Sequence, residues 1–94
     1  MMLWLDDVRP TPEGYETARS VNEAIKLIKQ AEDNDEEIEL LDLDHDLGDY
    51  AYDGGDGIKL LDWLAERGTF YPVCINTSNP AGRANMERMI ARYW

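Results

Sequence analysis

The chain has one cysteine, one histidine and one phenylalanine, and nine basic residues stand against twenty acidic ones. With Cys74 alone, no disulfide can close within the chain, and a reducing cytoplasm is the expected setting. Cys74 falls inside an apolar run, Val73-Cys-Ile75, where a buried core thiol is expected rather than a nucleophile. A lone histidine and a distant cysteine cannot furnish the nitrogen and sulfur donors of a zinc site. A net charge of -11 argues against nonspecific binding to nucleic acid or to an anionic membrane, which needs excess Lys and Arg. It still allows one phosphate held by a few arginines and a metal. There is no long apolar span and no charged-then-apolar leader, so neither a membrane anchor nor a secretion signal is expected. Hydrophobic residues at 44% lie in the ordinary globular range, so the acidity belongs to the surface and not to disorder. Residues 1–94 are read as one domain.

What the chain does have is an alternation of short apolar runs and amphipathic segments. Met2 to Leu5 reads as a buried strand that breaks at Asp6-Asp7. Two prolines and Gly14 then forbid a helix, and Tyr15 to Ala18 is a short candidate strand. Ser20-Val-Asn-Glu23 is a capping-box pattern, followed by Val21, Ala24, Ile25, Ile28 and Ala31 at helical spacing. That helix fades in the acidic stretch Glu32 to Glu37. Ile38 to Leu43 is the next strand, and Asp49 to Gly57 a loop rich in Gly, Asp and Tyr. The loop lacks the order of acids and the closing glutamate of a calcium loop. Asp56 or Gly55 is the expected cap of a helix carrying Ile58, Leu61 and Leu64, which Arg67-Gly68 ends. Pro72 to Thr77 reads as the last strand, and Asn79-Pro80 opens a final helix with Met86, Met89, Ile90 and Tyr93 on one face. Crossovers of this length join parallel strands, so the fold expected is α/β with about four strands.

In an open parallel sheet, ligands bind beyond the carboxyl ends of the strands. That rule brings together Asp6-Asp7, Asp44-His45-Asp46 and Asn76-Thr77-Ser78-Asn79. Several carboxylates with few other donors suit Mg²⁺, or a similar cation such as Mn²⁺. The segment from Thr77 to Arg83 offers hydroxyls, free amides at a helix start and a guanidinium, which together suit a phosphoryl group.

These residues resemble a response-regulator receiver domain: Leu5-Asp-Asp7, an acidic third strand end, Thr77 or Ser78 at the fourth, and Thr17 to Ile25. The first helix is replaced by the proline-rich turn, and no fifth strand or receiver lysine follows Thr77-Ser78. A closer resemblance is to the cyclic-phosphate processing receiver domains. Its motifs are Leu5 to Pro12, Leu43 to Gly48 and Thr77 to Met86, in the family's order and spacing along essentially the whole chain. The resemblance implies a small three-layer receiver-like (flavodoxin-like) domain with a mainly parallel sheet. That domain lacks the first helix and the last strand–helix unit of a full receiver. It also implies metal-dependent processing of a cyclic phosphate, on an RNA end in repair or conflict contexts or on a cyclic nucleotide. Asp6, Asp7, Asp44 and Asp46 are then the expected metal ligands, with Asp44 or its rival Asp42 at the position of the receiver aspartate.

His45, with Asp44, Thr77 and Ser78, is the expected catalytic set, since opening a cyclic phosphate needs a proton given to or taken from an oxygen. The alternative is a histidine merely bonded to Asp44 or Asp46 in a tight turn. Arg9, Asn79 and Arg83 are the expected phosphate contacts, the arginines alternatively pairing with the aspartates. Arg19 faces either the site or solvent. The partner expected is a phosphate-bearing small molecule or RNA end. Competing readings are a non-enzymatic phospho-acceptor or interaction module and, more weakly, an acidic mimic of DNA, which would spread its charge over one face. Trp94 and Tyr93 either mark a contact surface or fold back on the core.

Overall fold

The computed structural model describes residues 1–94. Four parallel strands, β1 (Met2–Leu5), β2 (Tyr15–Ala18), β3 (Leu40–Leu43) and β4 (Val73–Ile75), form one sheet in the order β2-β1-β3-β4. Three helices complete it: α1 (Val21–Asp33), α2 (Ile58–Arg67) and α3 (Pro80–Tyr93). This is a small receiver-like α/β domain of the flavodoxin type.

The helices begin and end for local reasons. Ser20 Oγ accepts from the Glu23 amide at 3.1 Å, and α1 buries Val21, Ala24, Ile28 and Ala31, as the 3.6-residue spacing dictates. α2 ends at Gly68, whose φ of 70° few side chains tolerate, with Arg67 in the last turn. Asn79 Oδ1 accepts from the Gly82 amide at 3.0 Å, and Pro80 takes the first position of α3. The cap expected for α2 is different. Gly57, not Asp56 or Gly55, occupies the cap position without a side-chain bond, because Asp56 Oδ1 turns back to accept from the Leu47 amide at 3.1 Å.

The strand register decides which face is packed. Leu3 pairs with Leu41 and Leu5 with Leu43, and Leu41 and Leu43 pair with Val73 and Ile75. The four leucines are fully buried in one cluster with residues of all three helices, each contributing roughly 1.5–3 kcal/mol. After β2 the chain crosses to β3 and then β4, always in the same direction across the sheet. Right-handed crossovers therefore put α1 and α2 on one face, and α3 packs beside α2 on that face. Only the β1-to-β2 connection runs the other way, and it is the proline-containing segment 6–14 instead of a helix. The opposite face thus carries no helix, so the domain has two layers and not the three expected, because the proline-containing segment 6–14 replaces the helix that would cover it.

Trp4, Asp42 and Cys74 lie side by side on that helix-free face, as register partners on β1, β3 and β4. The expected burial of Cys74 is corrected accordingly: its thiol is exposed, since β4 is an edge strand and the residue points away from the helices. At the chain end, Trp94 folds back, donating Nε1–H to the Tyr71 carbonyl at 2.8 Å and meeting Phe70 edge-on, while Tyr93 stays exposed. No helix is long and apolar enough to cross a membrane.

Candidate functional site

β1 and β3 run parallel and stop level with each other, so Asp6 and Asp7 emerge beside Asp44. The Asp44 amide still bonds the Leu5 carbonyl at 2.9 Å, carrying the ladder one residue past the strands. Carboxylate oxygens of Asp6, Asp7 and Asp44 all lie within 4.8 Å of one another. Asp6 and Asp44 are buried, at 1% and 8% exposure, which makes this a costly arrangement of like charges.

Each acid is held individually. Asp6 Oδ1 accepts from the amides of Val8 at 3.0 Å and Arg9 at 2.8 Å, closing a tight turn after β1. Asp6 Oδ2 is buried without a hydrogen-bond partner; its nearest cation is Arg9 Nε at 3.7 Å. Asp44 Oδ1 accepts from the His45 amide at 2.8 Å. Burial pushes the Asp44 carboxyl above the ordinary aspartate range, and Asp6 adds to this, against the Thr77 hydroxyl, the His45 amide and the Arg9 charge. Asp7 is packed against Gly48, where a Cβ would sit 2.6 Å from Asp7 Oδ2.

The donor set fits a hard divalent cation: three carboxylates converge, one of them presenting a buried oxygen that no hydrogen bond satisfies. Buried Thr77 stands beside Asp44 at the end of β4. Asp7, Asp44 and Thr77 therefore share one edge of the sheet. Ser78, the next residue, is exposed.

Asp46 is not in that group. It is exposed, and Oδ1 lies 2.7 Å from His45 Nδ1, while Asn79 Nδ2 donates to both of its oxygens at 3.1 and 3.2 Å. The His45 hydrogen bond, with Asn79 assisting, holds the Asp46 carboxyl below the usual aspartate range. His45, Asp46 and Asp56 form a second group of close ligand atoms, adjoining the first through the Asp44–His45 peptide. The turn after Asp44 is tight enough to separate neighbouring aspartates, which spacing alone does not reveal.

The three arginines play unequal parts. Arg9 donates Nη1–H to Asn76 Oδ1 at 2.9 Å and stands against Asp6, so it is already fixed at the acidic edge. Arg19 spans the same turn, donating to the carbonyls of Asp6 at 2.8 Å and Arg9 at 3.0 Å. Arg83 donates to the Thr77 carbonyl at 3.3 Å and pairs with Glu87 at 3.7 Å, leaving its half-exposed head near the start of α3. The largest surface groove, about 810 Å³ between α2 and α3, is lined by residues such as Asp62, Arg88 and Tyr93 and contains none of these groups.

Three glycines around this edge were not among the expected site residues. Beyond Gly48, a Cβ on Gly57 would lie 1.8 Å from the Asp44 carbonyl oxygen, and one on Gly82 would lie 2.5 Å from His45 Cγ. Gly82 sits in the first turn of a helix, where glycine is a poor choice for any purpose but space. That misfit was the available signal.

No curated protein and no solved structure gave a significant match. The family model for the cyclic-phosphate processing receiver domain matches residues 1–92, nearly the whole chain. With strand-end acids, Thr77 and the α3 start meeting at one sheet edge, the chain belongs to the cyclic-phosphate processing receiver domain family.

Proposed function

We propose that this domain is a divalent-cation-dependent phosphoesterase that opens a cyclic phosphate, on an RNA end or a cyclic nucleotide, with Mg²⁺ or Mn²⁺ held by Asp6, Asp7 and Asp44. The observation that carries the reading is the convergence of three carboxylates, two of them buried, beside Thr77 and His45. A cation bound there would draw negative charge off the phosphoryl oxygens and offset the mutual repulsion of the acids. The Thr77 hydroxyl and the Arg9 guanidinium stand at the same edge to hold the phosphoryl group from the protein side.

Hydrolysis adds water at phosphorus and breaks one of the two ring P–O bonds. The leaving alkoxide needs a proton, and the proton lost by water must go to a base or to solvent. With Nδ1 occupied by Asp46, His45 has Nε2 left to deliver the proton to the leaving oxygen and to regain one afterwards. The products are a phosphate monoester and a free hydroxyl. An acidic surface suits this task, because recognition is confined to one phosphate and no general affinity for polyanions is needed.

The test is incubation with a 2′,3′-cyclic nucleotide and Mg²⁺ or Mn²⁺. A nucleoside monophosphate is the expected product, and Asp44→Asn and His45→Ala each abolish its formation with the far-UV spectrum unchanged. Unchanged substrate over a wide pH range with both cations overturns the reading.

A further inference from the structure

Three residues form a closed circuit with His45. Asn79 Oδ1 accepts from the Gly82 amide at 3.0 Å, and Asn79 Nδ2 donates to Asp46. Asp46 Oδ1 contacts His45 Nδ1 at 2.7 Å, and the imidazole lies against Gly82, so closely that a Cβ there would stand 2.5–2.8 Å from three ring atoms. The circuit therefore returns to the residue it started from. Two of its members, Asp46 and Asn79, are exposed and half-buried surface residues whose side-chain hydrogen bonds all fall inside the ring of four. Gly82 is itself buried and its φ is not positive, so neither a turn nor strain accounts for a glycine in the first turn of α3. Alanine would favour the helix. Space for the imidazole is the remaining physical reason.

We infer that Asp46, Asn79 and Gly82 are positioning residues that lock His45 onto the start of α3, fixing its ring plane and leaving Nε2 as its one free nitrogen. This rests on the reading of His45 as proton donor, but the packing relationship can be tested without any turnover. Asp46 fixes one nitrogen of the ring, as carboxylates do for histidines in many active sites. Asn79 holds that carboxylate through the same amide group that caps the helix. Gly82 lets the ring lie flat against the backbone. A displaced ring would misalign Nε2 by an ångström or more, enough to lower a proton-transfer rate about a hundredfold.

Two arms test the inference separately from the phosphoesterase reading. In the first, Gly82→Ala is made in the parent and in a His45→Ala background, and thermal unfolding is measured. With the ring present the added methyl lowers the melting temperature or displaces the ring; with the ring removed it raises the melting temperature through helix propensity. The same shift in both backgrounds overturns the inference, whatever the protein does to a substrate. In the second arm, the ¹H–¹⁵N imidazole signals, unambiguous because His45 is the sole histidine, are recorded for Asn79→Ser. Serine keeps the helix cap but loses the link to Asp46. The signals shift, and kcat for a 2′,3′-cyclic nucleotide falls at least about tenfold while KM stays within about twofold. Unmoved imidazole signals overturn the inference as well. A shifted signal and a positive stability coupling in a protein without turnover would uphold the circuit and fault the catalytic reading alone.

Discussion

Trp4 and Asp42 are register partners on β1 and β3, and each buries a polar atom, Nε1 and Oδ1, that no hydrogen bond satisfies. They sit on the helix-free face, two residues before Asp6 and Asp44 on their respective strands. Burial pushes the Asp42 carboxyl above the ordinary aspartate range, Asp6 pushes it further, and Arg9 opposes both. A carboxyl with a raised folded pKa favours the fold when protonated. Its contribution is fully present below the unfolded value and is lost as pH rises through the folded one. Asp42→Asn is therefore stabilising at pH 7, because it removes the charge that burial and Asp6 disfavour. Urea denaturation checks this: the advantage of the variant should shrink as the pH is lowered toward 4. An equal advantage at both pH values would mean that charge is not the cause.

Glu32 of α1 ties together two distant parts of the chain. It accepts from Arg67 Nη2 at 2.7 Å at the end of α2, and from the Tyr71 hydroxyl just before β4. The Arg67 bond leads in holding the Glu32 carboxyl below its usual range, so this contribution is present above the ordinary glutamate pKa and fades as pH falls through the folded value. The Tyr71 phenol, half-buried and bonded to Glu32, is pushed up to about 12. Its preference for the neutral form stabilises the fold below pH 10 and is lost as pH rises from there toward 12. Tyr71→Phe should cost about 1 kcal/mol at neutral pH, the net value of one hydrogen bond. It should also flatten the alkaline limb of the stability profile. Urea unfolding at pH 7 and pH 11 measures both, and turnover at pH 7 should match the parent, since Tyr71 is remote from the acidic edge.

The helices were legible because their signals are local. Ser20 and Glu23 mark one start, Asn79-Pro80 another, and Arg67-Gly68 an end. The meeting of Asp6, Asp7, Asp44 and Thr77 was legible for a different reason: parallel strands bring their carboxyl ends to one edge whatever the sequence separation. The side of the turn on which Asp46 would fall was not legible. That depends on how tightly the chain reverses after Asp44, with Gly57 pressed against the Asp44 carbonyl. Nor could an apolar run show that Cys74 faces the uncovered side of an edge strand. Covering that side is a property of the missing helices, not of the strand.

The exposure of Cys74 makes a simple prediction. In the native protein at pH 8, Ellman's reagent should label one thiol per chain at a rate within about tenfold of the unfolded chain, as for an accessible thiol. A thiol buried in the core would react only as fast as the protein opens. Labelling that waits for denaturant would show that the helix-free face is covered in solution. Cys74→Ser should leave the melting temperature within about 2 °C, because the side chain removes little apolar area from water.

Asp44 sets stability against function, and the two should move in opposite directions on one substitution. Its carboxyl is 8% exposed, lies among Asp6 and Asp7, and is pushed up by burial. Asp44→Asn removes a crowded charge while the amide oxygen can still accept from the His45 N–H. Without divalent cations the variant should melt higher than the parent, by about 4 °C for a gain near 1 kcal/mol in a domain of this size. Adding Mg²⁺ or Mn²⁺ should raise the parent's stability by about 2.7 kcal/mol at a hundredfold excess over Kd, and leave the variant unmoved. EDTA should return the parent to its starting value. The parent's gain should grow as pH rises, since protons compete with the cation for the Asp44 carboxylate and lose once the pH exceeds its raised pKa. Differential scanning fluorimetry across pH and cation concentration reads all of these at once. A parent whose melting temperature ignores both cations while Asp44→Asn still stabilises it would leave an acidic edge held together by Arg9 alone, and no metal site.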